Sequence, residues 1–137
     1  MLPVFEKPNI LLKLEGFAVF LLALVVYWQQ SFSWPLFWST VFLPDLALLG
    51  YLVNAKVGAR AYNVTHSKLL PSALAVVAAT TGNTLFMALA LIWFVHIGAD
   101  RLLGYGLKYP EGFNVTHLGI IGRADGESRG RYLPCGK

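Results

Sequence analysis

Charge is what this sequence has least of. Asp, Glu, Lys and Arg make up 13% of its 137 residues, about half the share of an average soluble domain. Hydrophobic residues make up 56%. Disorder is excluded, because it needs low hydrophobicity and high net charge. A small soluble globule is also a poor fit, since its large relative surface needs polar cover. Cysteine is nearly missing. The single Cys135 cannot close an internal disulfide, so no disulfide framework holds the chain. No Gly-rich phosphate loop and no paired C-x-x-C occurs, which removes two common signatures of nucleotide and thiol chemistry. The formal net charge is +4, yet the basic residues do not gather with aromatics on one face, as a nucleic-acid binder requires. The expected partner is a lipid bilayer, with no nucleic acid.

What is present is a series of apolar runs. A crossing helix needs about 20 mostly apolar residues. Four spans are expected, at about 14–28, 35–53, 69–82 and 84–107. The third is short. Turn-type residues at 29–33 and 80–83 join the spans as two helical hairpins. Open strands are excluded because lipid cannot satisfy their backbone groups. A cleaved signal peptide is disfavoured for the first span, which no small-x-small cleavage site follows.

The scarce basic residues give an orientation. All eleven Lys and Arg fall in 7–13, 56–68 and 101–137, and none in 14–55 or 69–100. The positive-inside rule then places the N-terminus, the middle loop and the C-terminus in the cytoplasm. Trp28, Trp34 and Trp38 fall where an outer aromatic belt is expected.

Two strings recur in the same order. Leu48-Leu49-Gly50-Tyr51 and Asn63-Val64-Thr65-His66 in the first half match Leu102-Leu103-Gly104-Tyr105 and Asn114-Val115-Thr116-His117 in the second. The expected fold is thus an all-α integral membrane protein of four transmembrane helices, arranged as two tandem hairpins. A pseudo-two-fold along the membrane normal would relate them. Both N-V-T strings match the glycosylation pattern, but a cytoplasmic location leaves them unmodified. Their Asn and Thr are expected to cap a helix start, which for His66 would be the third span.

Ionisable groups inside spans are costly and usually face the bundle interior. Asp45 is ten residues past Pro35, about 15 Å deep, and His96 is twelve past Thr84, about 18 Å deep. The two therefore share a depth near the midplane. Asp100 follows His96 by four residues, on the same helix face. Each residue alone has a structural explanation: Asp45 beside the Pro44 kink, His96 as a neutral core imidazole, His66 and His117 in loops, Glu15 paired with Lys13 at the headgroups. Together they form a set. His66, His96, Asp100 and His117 offer three imidazoles and a carboxylate, a donor set for Zn or another first-row divalent metal. Asp45 or Glu15 would then be the general acid/base.

Several of these strings are shared with a known family. Leu14-Glu15-Gly16, Leu43-Pro44-Asp45, Leu49-Gly50-Tyr51, Tyr62-Asn63 with His66, the segment from His96 to Pro110, and Thr116-His117-Leu118-Gly119 resemble the bacterial domain-of-unknown-function 4260 family. The resemblance covers residues 11–121. It implies a small multi-pass protein of the bacterial plasma membrane, and no activity. Residues 1–121 are expected to form the single transmembrane domain, and the Gly-rich, charged 122–137 a disordered cytoplasmic tail.

Three functions follow from these residues. The leading one is a metal-dependent membrane hydrolase with a His/Asp site in the cytoplasmic half. A small proton-coupled transporter, relaying protons through Asp45 and His96, would act as a homodimer, since four spans are few for a pore. A structural or accessory protein would use the same polar residues to staple its helices.

Overall fold

A computed structural model describes residues 7–105, 115–116 and 119–120. Helix α1 (Pro8–Gln29) starts with proline in its first turn, where the missing N–H costs nothing. Helix α2 (Trp34–Thr40) is capped by Ser33, whose hydroxyl accepts from Leu36 N at 3.3 Å. A 3-10 segment, η1 (Leu43–Leu52), follows with Pro44 in its first turn. Helix α3 (Ala55–His66) is capped by Asn54, which accepts from Val57 N at 2.9 Å. Helix α4 (Leu69–Thr81) ends at Gly82. Helix α5 (Thr84–Leu103) is capped by Asn83, which accepts from Phe86 N at 3.0 Å, and ends at Gly104. Gly82 and Gly104 both take positive φ, the left-handed conformation that glycine adopts without strain at a helix C-terminus. A two-stranded antiparallel pair, β1 (Val115–Thr116) and β2 (Gly119–Ile120), adds a small piece of sheet to the otherwise helical structure.

Among the described residues, three segments are long and apolar enough to cross a membrane: Pro8–Gln29, Trp34–Leu52 and Thr84–Leu103. Side chains such as Leu22, Trp28 and Leu52 are more than two-thirds exposed or nearly so. Exposed apolar surface on this scale marks a lipid-facing exterior. The expected third span, 69–82, coincides with α4, but α4 has only 13 residues. It is about 20 Å long, against a hydrocarbon core of about 30 Å. The fourth span ends at Leu103 rather than 107, because Gly104 terminates the helix.

Helix α3 doubles back along η1, with Gly58 against Gly50 and the Thr65 hydroxyl 3.3 Å from the Pro44 carbonyl. Helix α4 then runs beside α5, where Leu74 and Leu89 line one cleft. Between α3 and α4 the helical run is interrupted at Ser67-Lys68. The interruption sits at the level of Asp45 and His96.

The core lies between α1 and α5, which pack along each other. Gly16 and Gly98 permit that approach: a Cβ on Gly98 would lie 2.7 Å from the Gly16 carbonyl oxygen and from Phe20 N. Small residues at helix crossings do this in membranes generally. Ala23, Tyr27, Ala88, Ile92 and Val95 continue the contact, joined by Phe37 and Val41. Tyr27 meets Phe32, Trp34 and Phe37 edge-on at 5.4–5.5 Å, and its hydroxyl donates to the Ser33 carbonyl. Helix α1 thus meets the second span mainly through this aromatic cluster and lies along α5, whereas the expected pairing was with span two.

The N-V-T-H strings behave differently from each other. Asn63–His66 is the last turn of α3, not a helix start, so the expected cap does not form there. Helix formation runs to His66 because the polar, amphipathic 55–66 packs Ala59, Tyr62 and His66 inward. Val115 and Thr116 are in a strand. The sequence repeat is therefore not a repeat of local structure at this point.

Candidate metal centre

Three elements deliver four ionisable side chains to one place. Asp45 comes from the first turn of η1, His66 from the end of α3, and His96 and Asp100 from successive turns of α5. One potential ligand atom from each lies within 4.8 Å of all the others. The two Nε2 atoms are 3.1 Å apart. His66 Nε2 is 3.3 Å from Asp45 Oδ1 and 3.2 Å from Asp100 Oδ2. His96 Nε2 is 3.2 Å from Asp45 Oδ1 and 3.4 Å from Asp100 Oδ2. Four ligands bound tetrahedrally at about 2.0–2.2 Å from zinc stand roughly 3.3–3.6 Å apart. The five observed separations, 3.1–3.4 Å, lie at or just below the short end of that range.

The surroundings fix which nitrogen faces the centre. His66 Nδ1 lies 3.0 Å from the Tyr62 carbonyl. A carbonyl only accepts, so Nδ1 carries a proton, and in the neutral imidazole Nε2 then presents a lone pair. That lone pair faces two carboxylate oxygens and a second imidazole nitrogen. Four electron-rich atoms at such distances repel unless a cation or shared protons lie among them. A carbonyl behind a ligating imidazole is also the usual support for a metal-bound histidine. The Tyr62 hydroxyl supplies a hydrogen-bond partner to Asp100. The Tyr62 ring stacks on His66 at 3.8 Å between centroids.

Arg101 fixes the break between α3 and α4. Its Nη2 donates to the His66 carbonyl at 2.9 Å and its Nη1 to the Tyr105 carbonyl at 2.7 Å. Its Cβ packs against Gly16, where an added methyl group would collide. Trp93 Nε1 donates to the neighbouring Thr65 carbonyl at 2.6 Å. The free carbonyls at the end of α3 are thereby satisfied by side chains of α5.

Burial is uneven. His66 is fully buried and His96 and Asp100 are largely so, whereas the Asp45 side chain is 40% exposed. The group is closed on the α5 side and open at η1. Beside it lies an apolar cleft of about 280 Å³, lined by Leu43, Pro44, Thr65, Leu74, Leu89 and Trp93 among others.

Of the residues singled out in the sequence, Asp45, His66, His96 and Asp100 converge. Glu15 is exposed on α1 and is not a member of the group. His117 lies outside the described residues. The matched depth of Asp45 and His96 and the i, i+4 spacing of His96 and Asp100 were readable in advance. The supporting roles of Tyr62, Thr65 and Trp93 were not, because they depend on the fold-back of α3.

The family model described as Domain of unknown function (DUF4260) matches residues 9–121. The chain belongs to the DUF4260 family. All four converging residues fall within the matched range. No curated protein and no solved structure matches the chain.

Proposed function

We propose that this DUF4260 protein is a metal-dependent membrane hydrolase acting on a lipid-like substrate. The reading rests on one observation: four electron-rich atoms, from residues 45, 66, 96 and 100, lie within 4.8 Å of one another. Two carboxylates would neutralise a dication, and two neutral imidazoles add no charge, which suits a low-dielectric site. Zn or another first-row divalent ion fits this donor set.

His66, His96 and Asp100, the more buried three, would hold the ion. Three protein ligands leave the position that hydrolytic zinc sites keep open. Such an ion polarises the bond to be cleaved and acidifies a water. Asp45, half exposed and within 3.3 Å of both imidazoles, would take the proton from that water and return it to the leaving group. Glu15 has no comparable reach. The basic-residue pattern supports a membrane location with both termini cytoplasmic. The α3–α4 pair would serve as a broken third crossing, giving four crossings in all.

The test begins with protein purified from metal-replete cells and analysed by elemental mass spectrometry. About one divalent ion per chain is expected, lost in His96→Ala and retained in Asp45→Asn. Metal-free wild-type protein would overturn the proposal.

A proton-coupled carrier is the second reading, favoured by the 3.2 Å contact of His96 with Asp45. In that case protons, not an ion, hold the group together. Asp45→Asn would then abolish proton-driven flux in liposomes, and the wild-type protein would bind no metal.

A further inference from the structure

We infer that the cleft beside the four-residue group is the subsite for one acyl chain of a membrane lipid. The inference depends on the metal-hydrolase reading for its chemistry, but not for the binding itself.

The cleft shares its walls with the site. Pro44 and Thr65 line it, and each directly precedes a member of the group, Asp45 and His66. Ile92, a third wall residue, stands one helical turn before His96 on the same face of α5. The Thr65 hydroxyl also lies 3.0 Å from His66 Nδ1. A molecule filling the cleft would therefore end against the open, Asp45 side of the group.

The lining excludes most other occupants. Leu43, Pro44, Leu74, Leu89 and Ile92 offer no hydrogen bonds. The donors are spent on the backbone: the single Thr65 hydroxyl hydrogen has the Ala61, Tyr62 and Pro44 carbonyls within reach, Thr40 donates to the Leu36 carbonyl and Trp93 to the Thr65 carbonyl. A sugar, peptide or inorganic ion would lose its hydration there without replacement. A hydrocarbon chain loses nothing. Leu43 stands half exposed at the edge, and Leu46 and Leu49 beyond it are also exposed. The cleft thus opens onto surface that faces hydrocarbon when the second span lies in a bilayer. A lipid chain can pass in laterally without crossing water.

The binding test uses full-length protein in nanodiscs containing phosphatidylglycerol with a photoreactive diazirine midway along one acyl chain. After irradiation, adducts are mapped by mass spectrometry. Adducts on Leu74, Leu89 and Trp93 are expected to exceed those on Leu22 and Val76, which are more exposed, by fivefold or more. Leu74→Trp or Leu89→Trp fills the cleft and is expected to cut the labelling fivefold while metal content stays constant. Labelling that follows exposure alone, or that survives both substitutions in protein that keeps its metal, overturns the inference. Cleft labelling in wild-type protein that holds no metal upholds the acyl subsite and overturns the hydrolase reading separately.

Discussion

His66 Nε2 and His96 Nε2 face each other at 3.1 Å, although thirty residues separate them in the chain. With His66 Nδ1 committed to the Tyr62 carbonyl, at least one of these nitrogens meets the other with a lone pair. The contact needs a cation or a hydrogen-bonding proton between the two nitrogens as its partner. Whether that partner is an ion or a proton is the question the first two predictions address.

Chelation should be destabilising. An ion bound only by the folded state adds about 4 kcal/mol at a free concentration 1,000 times its Kd. Treating the purified protein with a strong chelator should lower its unfolding temperature in detergent, and one equivalent of Zn should restore it. His66→Ala and His96→Ala should show no such metal response. An unchanged melting curve in wild-type protein would remove the ion from the account.

Asp45 and Asp100 should separate when each is changed to Asn. Asp100→Asn removes a ligand and should weaken metal binding by more than the roughly 10–100-fold that loss of an outer supporting group costs. Asp45→Asn should keep the ion while reducing turnover of a lipid ester by about 10²–10⁴, the usual contribution of a general base. Isothermal titration and a turnover assay on the two proteins, compared side by side, decide the assignment. Equal loss of metal in both variants would make Asp45 a ligand instead.

Arg101 should matter to both stability and the site. Arg101→Ala leaves the buried His66 carbonyl without its donor, a penalty of about 1–3 kcal/mol. It also frees the end of α3, so metal affinity should fall along with stability. Arg101→Lys keeps the charge but not the fork that spans two carbonyls, and should recover only part of either. Denaturant titration together with metal titration measures both effects.

Gly98→Ala tests the α1–α5 crossing. The added methyl group would sit 2.7 Å from the Gly16 carbonyl and from Phe20 N, so the helices must part. A cost of about 1–3 kcal/mol is expected for overpacking of this kind. Gly82→Ala offers a comparison, since nothing lies within 4 Å of the site and only its positive φ opposes the change. Thermal unfolding in detergent should therefore show the larger loss at position 98.

Much of this arrangement was legible from the sequence, for identifiable reasons. Long apolar runs give their positions away, so α1 and α5 overlap the expected first and fourth spans, with α1 starting earlier, at Pro8, and α5 ending earlier, at Leu103. Two helices that enter from one side bring residues at equal distances from their starts to one level, and this aligned Asp45 with His96. Residues 54–68 were opaque because they read as a polar loop. Their helix exists because Ala59, Tyr62 and His66 find partners on η1 and α5, and no local pattern announces that. The same fold-back turned His66 from a loop residue into a fully buried one. The interruption of the second span after Thr40, with a 3-10 segment beyond Pro44, was visible only as a proline.

The group draws on positions 45, 66, 96 and 100, so it ties together segments far apart along the chain. An ion there would act as a reversible cross-link in a protein whose lone cysteine allows none. Its ligands cannot all assemble until the last helix has been made and inserted. Metal uptake would then come after α5 is in place, and the protein would stay inactive at every earlier stage of its synthesis.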